Sequence, residues 1–200
     1  MKLYVPFYQQ DFKNSCGIFA LKMVLNYFGK NIKTQDITDK IEAENGKGIS
    51  TWQLAIGAAK YKFIVKIYSA VEKFDEKLLT INFYKKSLPN NYFTKLNQWE
   101  NKAKNLGVKR IIKHLTLNEI LYFVSNKKVP IILLNWNIIK GKKGFQGHFV
   151  PLIGYDKNNV YIHSQGLNNP KKFMKIPRDL FDIARKSKGT EEDILLISNK

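Results

Sequence analysis

The spacing of apolar residues changes once along this chain, and the change limits its fold more than any other feature. Up to about residue 128 the strongest segments carry apolar side chains at three- and four-residue intervals, the pattern of one buried helix face. Ile18, Leu21, Val24, Leu25 and Phe28 do so within residues 14–28, where Asn14 or Ser15 can cap the start and Gly29 can end the helix. Residues 34–43, 50–61, 90–106 and 116–125 read as further helices, with Thr34 and Thr116 as caps and Gly107 as a terminator. Residues 63–68 and 109–114 read as strands between them, and residues 71–87 fit neither period. From residue 129 onward strands dominate. Residues 129–136 form a strongly apolar run, 148–155 and 159–163 a hairpin around Asp156-Lys157-Asn158, and 173–176 and 194–197 two more strands, with a helix opening at Pro177. Helices first and a mostly antiparallel sheet afterwards predict an α+β fold.

A chain of 200 residues with 44% hydrophobic content suits a single domain, predicted over 1–200. Its parts are an N-terminal helical half of about 1–61, a middle of about 62–128 and a C-terminal sheet half of about 129–200. No apolar run approaches the roughly 18 residues a membrane span needs. The N-terminus MKLYVPFYQQ has no signal-peptide core, and a single cysteine allows no internal disulfide. Together these predict a cytoplasmic location. The net charge of +18 raises the question of a nucleic-acid partner. Most of the excess is lysine spread along the chain, arginine occurs only at Arg110, Arg178 and Arg185, and no RNP-like, zinc-finger or basic-zipper pattern is present, so nucleic acid is expected to bind only through non-specific charge. Three separated histidines and one cysteine give no zinc spacing, and no glycine-rich phosphate loop is present, so neither metal nor cofactor is expected.

The residues that can carry chemistry lie at the two ends of the chain. Cys16 opens the first strong helix, where free N–H groups and the helix dipole favour a thiolate, and Gly17 leaves the sulfur uncrowded. Gln10, six residues earlier, can donate from its side-chain amide to a developing oxyanion, with Gln9 as the competing choice. His148 follows Gly147 at the start of an apolar strand, an accessible and well-placed position for the base of an active thiol. Trp136 precedes the loop to His148 and can line a cleft wall; Gly17, Trp136 and Gly147 are thus candidate substrate contacts. His114 ends a lysine-rich strand and reads as a surface residue.

The segment QDFKNSCGIFALKMVLNYF (10–28) resembles the N-terminal signature of the bacteriocin-processing peptidases, papain-like enzymes that remove leaders ending in a double glycine. The segment NWNIIKGKKGFQGHFVPLIGYDKNNVYIHSQG (135–166) resembles the second half of that signature, and KIPRDLFDIA (175–184) the helix that follows it in stand-alone relatives. The resemblance covers roughly 75 residues and does not reach residues 60–128. It implies a papain-like fold, with N-terminal helices packed on a C-terminal antiparallel sheet, and a cysteine peptidase or amidase acting on a peptide or protein substrate. Cys16 is the implied nucleophile, His148 the base and Gln10 the oxyanion donor.

One position departs from the family. Its aspartate or asparagine after the second hairpin strand, usually within Asp-Pro-Gly, is replaced in Ser164-Gln165-Gly166. That third residue orients the imidazole and supports its charged form. Ser164 offers one uncharged hydroxyl, and Gln165 can substitute through its side-chain carbonyl if the loop turns inward. Asp156 falls at the hairpin tip, and His163 is expected to point away from the face of Ser164. The substitution keeps three alternatives open: a slower hydrolase, an acyltransferase using the same Cys16 and His148, and a papain-like module that grips a peptide tail without cutting it.

Overall fold

The computed structural model of the protein describes residues 1–199. The first elements are α1 (Cys16–Tyr27), α2 (Thr34–Lys40), α3 (Thr51–Lys60) and β1 (Ile64–Ser69). A 3-10 turn (Glu76–Thr80), α4 (Asn82–Ser87), α5 (Tyr92–Asn105), β2 (Lys109–Ile112) and α6 (Leu117–Ser125) follow. The C-terminal part holds β3 (Ile131–Asn135), the single turn α7 (Trp136–Ile139), β4 (Gly147–Tyr155), β5 (Asn159–Ser164), β6 (Lys171–Pro177), α8 (Arg178–Arg185) and β7 (Ile194–Ser198).

Local signals explain most of these boundaries. Ser50 with Gln53 and Thr116 with Glu119 form capping boxes at the starts of α3 and α6. Gly29 and Gly107 follow α1 and α5 with φ of 83° and 82°, the left-handed conformation that glycine takes without strain. Two expected caps are absent. Thr34 is the first residue of α2 behind Lys33, and no side chain caps α2. Ser15 stands at the N-cap of α1, but its hydroxyl donates to the Phe12 carbonyl at 2.6 Å instead of accepting from the helix. The first N–H groups of α1 are therefore left to other partners. The run 129–136 yields a shorter strand than its apolarity predicts. Pro130 brings no N–H to the ladder, and the Asn135 side chain accepts from the Asn137 and Gln146 N–H groups, turning the chain into α7 at Trp136.

The seven strands form one sheet in the order β2-β1-β7-β3-β4-β5-β6. Among the described residues only β1 and β2 run parallel; every other neighbouring pair is antiparallel. The sheet is thus mostly antiparallel, as expected, and it also takes β1 and β2 from the residues before 129. The last strand, β7, lies between β1 and β3 and joins the two parts. On β4, His148 through Gly154 are all buried, so both faces of this strand are covered. Helix α1 packs on β4, α3 on β1 and β7, α5 on α3, and α8 on β3. Burial of α1 rests on Ile18, Leu21, Val24 and Leu25, each worth roughly 1.5–3 kcal/mol when removed from water. The N-terminal arm runs beside the hairpin, bonding Leu3 to Ile153 and His163 to Val5, and so delivers Gln10 to the loop after β5. No helix of the described residues is long and apolar enough to cross a membrane.

Candidate active site

Cys16 is the first residue of α1, half-buried where that helix meets β4. The N–H groups of Phe149, Gly17 and Cys16 itself bear on the thiol and lower its pKa, but burial outweighs them and pushes it above the ordinary thiol value. The expectation of a favoured thiolate is therefore corrected: removal from water wins over the helix start. Gly17 makes the close approach possible. A Cβ there would meet Leu54 at 3.2 Å and Phe149 at 3.3 Å.

His148 precedes Phe149 on β4, opposite Leu134 on β3. It is 7% exposed, which corrects the expectation of an accessible ring. Trp136 covers it, with ring centroids 4.7 Å apart. Its Nε2 is sealed from solvent and has no hydrogen-bond partner. Burial, helped by the nearby charge of Lys140, pulls its pKa down to about 3, so the imidazole is neutral at physiological pH. Among the described residues no hydrogen bond joins the Cys16 thiol to this ring. The Phe149 N–H bears on the Cys16 thiol and His148 precedes Phe149 on β4, so it is backbone and not a side-chain contact that links the two uncharged candidate groups.

The two glutamines separate clearly. Gln9 is turned outward, bonding the Leu167 carbonyl at 3.2 Å. Gln10 is buried; its N–H donates to the Gln165 carbonyl at 2.8 Å, and its side-chain amide donates to the Phe12 carbonyl at 3.3 Å. Gln165 has turned inward, though not to the imidazole. Its Nε2 donates to the Cys16 carbonyl at 2.7 Å and to the Phe149 carbonyl at 2.6 Å, clamping the start of α1 to β4. Ser164 is buried at the end of β5, opposite Lys171, and makes no hydrogen bond to His148. His163 is bonded to the Val5 carbonyl at 2.9 Å and accepts from the Phe173 N–H at 3.2 Å, a structural role. Asp156 sits at the hairpin tip among Asn158, Asn159 and Tyr161, and His114 is exposed beside Glu192. Gln10 Oε1, Gln165 Oε1 and His148 Nε2 are three of the seven buried side-chain atoms that lack a partner among the described residues. A buried polar atom without a partner calls for a ligand, a water or local strain to account for it.

A cavity of about 710 Å³ opens beside the thiol, bordered by Cys16, Gly147 and Phe149. Of the three glycine and tryptophan positions expected to meet a substrate, Gly147 borders this cavity, whereas Gly17 and Trp136 lie outside its lining and Trp136 covers His148 instead. The aromatic walls come from Trp52, Phe74, Tyr84 and Tyr92, and the far end holds Arg110, Glu191 and Asp193. Asp193 accepts from the Thr51 hydroxyl at 2.5 Å. Burial raises both carboxyls, Asp193 to about 6 and Glu191, with the Asp193 charge adding to the effect, to about 8. Sequence reasoning missed this acidic end. Its only signal is the run Glu191-Glu192-Asp193, and a charge run is ordinarily a solvated surface.

A family model described as guanylylate cyclase matches residues 5–197. The protein named Guanylyl cyclase 1 from Arabidopsis thaliana is 24% identical over 209 residues, covering 97% of this chain and 75% of that protein. Among solved structures, a double glycine motif protease from an AMS/PCAT transporter, in complex with its leader peptide, superposes with a TM-score of 0.56 at 18% identity, covering 100% of this chain and 94% of that one. The peptidase domain of Streptococcus ComA, a bifunctional ABC transporter of a quorum-sensing pathway, gives 0.57 at 12% identity, with 98% and 100% coverage. A peptidase-like protein from Bacillus anthracis gives 0.60 at 15% identity, with 100% and 98% coverage. The chain has the papain-like fold of these peptidase domains.

Proposed function

We propose that this chain, which belongs to the guanylylate cyclase family, is a thiol-dependent hydrolase of peptide or amide bonds, with Cys16 as nucleophile and His148 as base. One observation carries the proposal: the thiol lies at a helix start that no side chain caps, and it borders a large cavity. Free N–H donors behind the sulfur and space in front of it are what acyl transfer to a thiol requires.

The neutral state of both groups sets the route. Sγ attacks the substrate carbonyl while its proton passes to the imidazole, so charge develops only in the transition state. The Cys16 N–H faces the oxyanion, and the Gln10 amide joins it by leaving its long bond to Phe12. The carbon–nitrogen bond then breaks as the imidazolium returns its proton to the amine. Water cleaves the thioester, releasing the acid and restoring the thiol. Gln165 acts as a positioning residue, holding the nucleophile's carbonyl to the strand that carries the base. Acyl transfer to an amine differs only in the molecule that attacks the thioester.

Screening the full-length protein against an internally quenched peptide library tests the reading. Cys16→Ala and His148→Ala are each expected to lower turnover at least 100-fold with the fold intact by circular dichroism. Turnover that survives Cys16→Ala rejects the proposal.

Two other readings have a specific basis. The absent thiol–imidazole hydrogen bond favours a module that binds a peptide tail without cutting it. That module is identified by peptide binding to wild type and Cys16→Ala alike, with no turnover by either. The curated relative's name points instead to cyclisation of GTP. The cavity is lined by more acidic than basic side chains, and its Arg110 is already bonded to the carbonyls of Val71 and Glu72, which leaves little for a triphosphate to pair with. Formation of cyclic GMP from GTP, without peptide turnover, would replace the hydrolase reading.

A further inference from the structure

We propose that the cavity beside Cys16 is a subsite for a cationic side chain, selected by Glu191, so that the substrate is a peptide carrying lysine or arginine at the residue that fills it. This names the substrate class of the site proposed above and rests on that reading.

The charge pattern comes first. The protein carries +18 overall, yet the residues lining this cavity are acidic in excess, five to three. A basic protein that gathers five of its 16 acids in one concavity offers a cation a site there once those carboxyls ionise, and low-dielectric walls focus the field they then create. Arg110 acts on both Glu191 and Asp193 and offsets part of their charge. It donates to the carbonyls of Val71 and Glu72 and stacks on Trp52 at 5.5 Å, which fixes it against the wall.

Glu191 is placed with some force. It and Glu192 both adopt left-handed φ, 53° and 54°, a conformation that costs a non-glycine residue free energy. Glu192 is held by the buried Arg185 and by His114, so the chain can present Glu191 on the opposite side, into the cavity. Thr190 fixes the turn through hydrogen bonds to the Arg185 and Ser187 carbonyls. The groups that act on the Glu191 carboxylate are Asp193 from the approach to β7, Arg110 from β2 and Asp75 from the loop before the 3-10 turn, whose N–H donates to it. Its Oε1 is sealed from water with no partner. A cation in the cavity supplies the partner that Oε1 lacks, and the aromatic walls of Trp52, Tyr84 and Tyr92 suit the aliphatic stem and the charged head of lysine or arginine.

The test uses peptide aminomethylcoumarin and internally quenched substrates that differ only in lysine, norleucine or glutamate, placed on either side of the scissile bond. Wild type is expected to prefer lysine over norleucine at least ten-fold in kcat/KM at one position and to reject glutamate there. Glu191→Gln is expected to bring the lysine-to-norleucine ratio close to one. In wild type the ratio is expected to grow from pH 6 to pH 9 as the raised carboxylate ionises, a readout that needs no variant. A parallel arm follows quenching of tryptophan fluorescence by acetyl-lysine amide and acetyl-norleucine amide on Cys16→Ala. Selective binding of the lysine compound without any peptide turnover sustains the subsite and rejects the hydrolase. Turnover with equal rates for lysine and norleucine at every position rejects the subsite and leaves the hydrolase standing.

Discussion

At the scale of single residues, the site is governed by what surrounds each group. His148 has a folded pKa of about 3 against an ordinary value near 6.5, because its ring is buried under Trp136. The unfolded chain therefore binds a proton that the folded chain refuses. Stability contributed by the neutral ring is complete above pH 6.5 and is lost as the pH falls toward 3. Wild type is expected to lose on the order of 3 kcal/mol between pH 7 and pH 4 from this group, and the loss is read as the difference from His148→Gln in denaturant melts. Equal pH slopes for the two proteins reject the buried-neutral assignment. The same burial predicts kcat/KM without an inflection near pH 6.5, since the base is deprotonated throughout. Gln165→Ala leaves the Cys16 and Phe149 carbonyls without their donor. A cost of roughly 2–4 kcal/mol is expected, with no rescue by Gln165→Glu, whose carboxylate faces two acceptors. Cys16, Gln10 and His148 stood out in the sequence as candidates by type and position. The clamp by Gln165 was not, because it joins residues 149 and 16 positions away.

At the scale of elements, local chemistry and long-range contact divide the work. The capping boxes of α3 and α6 and the glycines after α1 and α5 are local, and each marks its boundary where the sequence indicates it. Ser50→Ala is expected to cost about 1 kcal/mol by removing one such box. The start of α1 follows another rule, since contact with β4 replaces a side-chain cap there. Gly17→Ala places a methyl within 3.2 Å of Leu54 and 3.3 Å of Phe149, and those side chains must give way. We expect a loss of about 1–2 kcal/mol and a larger drop in turnover than in stability, because the thiol moves with the helix. A Gly17→Ala protein with wild-type melting and wild-type kcat/KM contradicts this account.

At the scale of the whole molecule, the decisive feature is the position of the last strand. β7 pairs with β1 on one side and β3 on the other, so the sheet is continuous only when the C-terminus is in place. Leu195 is fully buried and lies opposite both Ile67 and Ile131. Leu195→Pro removes a ladder donor from a central strand and is expected to abolish the cooperative thermal transition. A single sharp transition in that variant shows that the two parts of the sheet hold without β7. The same insertion carries Glu191 and Asp193 to the cavity, so the strand that completes the fold also sets the charge beside the thiol.

The sequence by itself determined most of the elements, their order, the α+β class and the candidate thiol and imidazole, because periodicity, caps and residue chemistry act within a few residues; the 3-10 turn, α4 and α7 carried no such signal. The tertiary structure decided the rest. It made the thiol and the imidazole neutral, turned Gln165 to the Cys16 backbone, covered His148 with Trp136 and gathered acids into one cavity of a basic protein. Each of these depends on desolvation and on contacts between residues far apart in the chain, and only the folded packing supplies them.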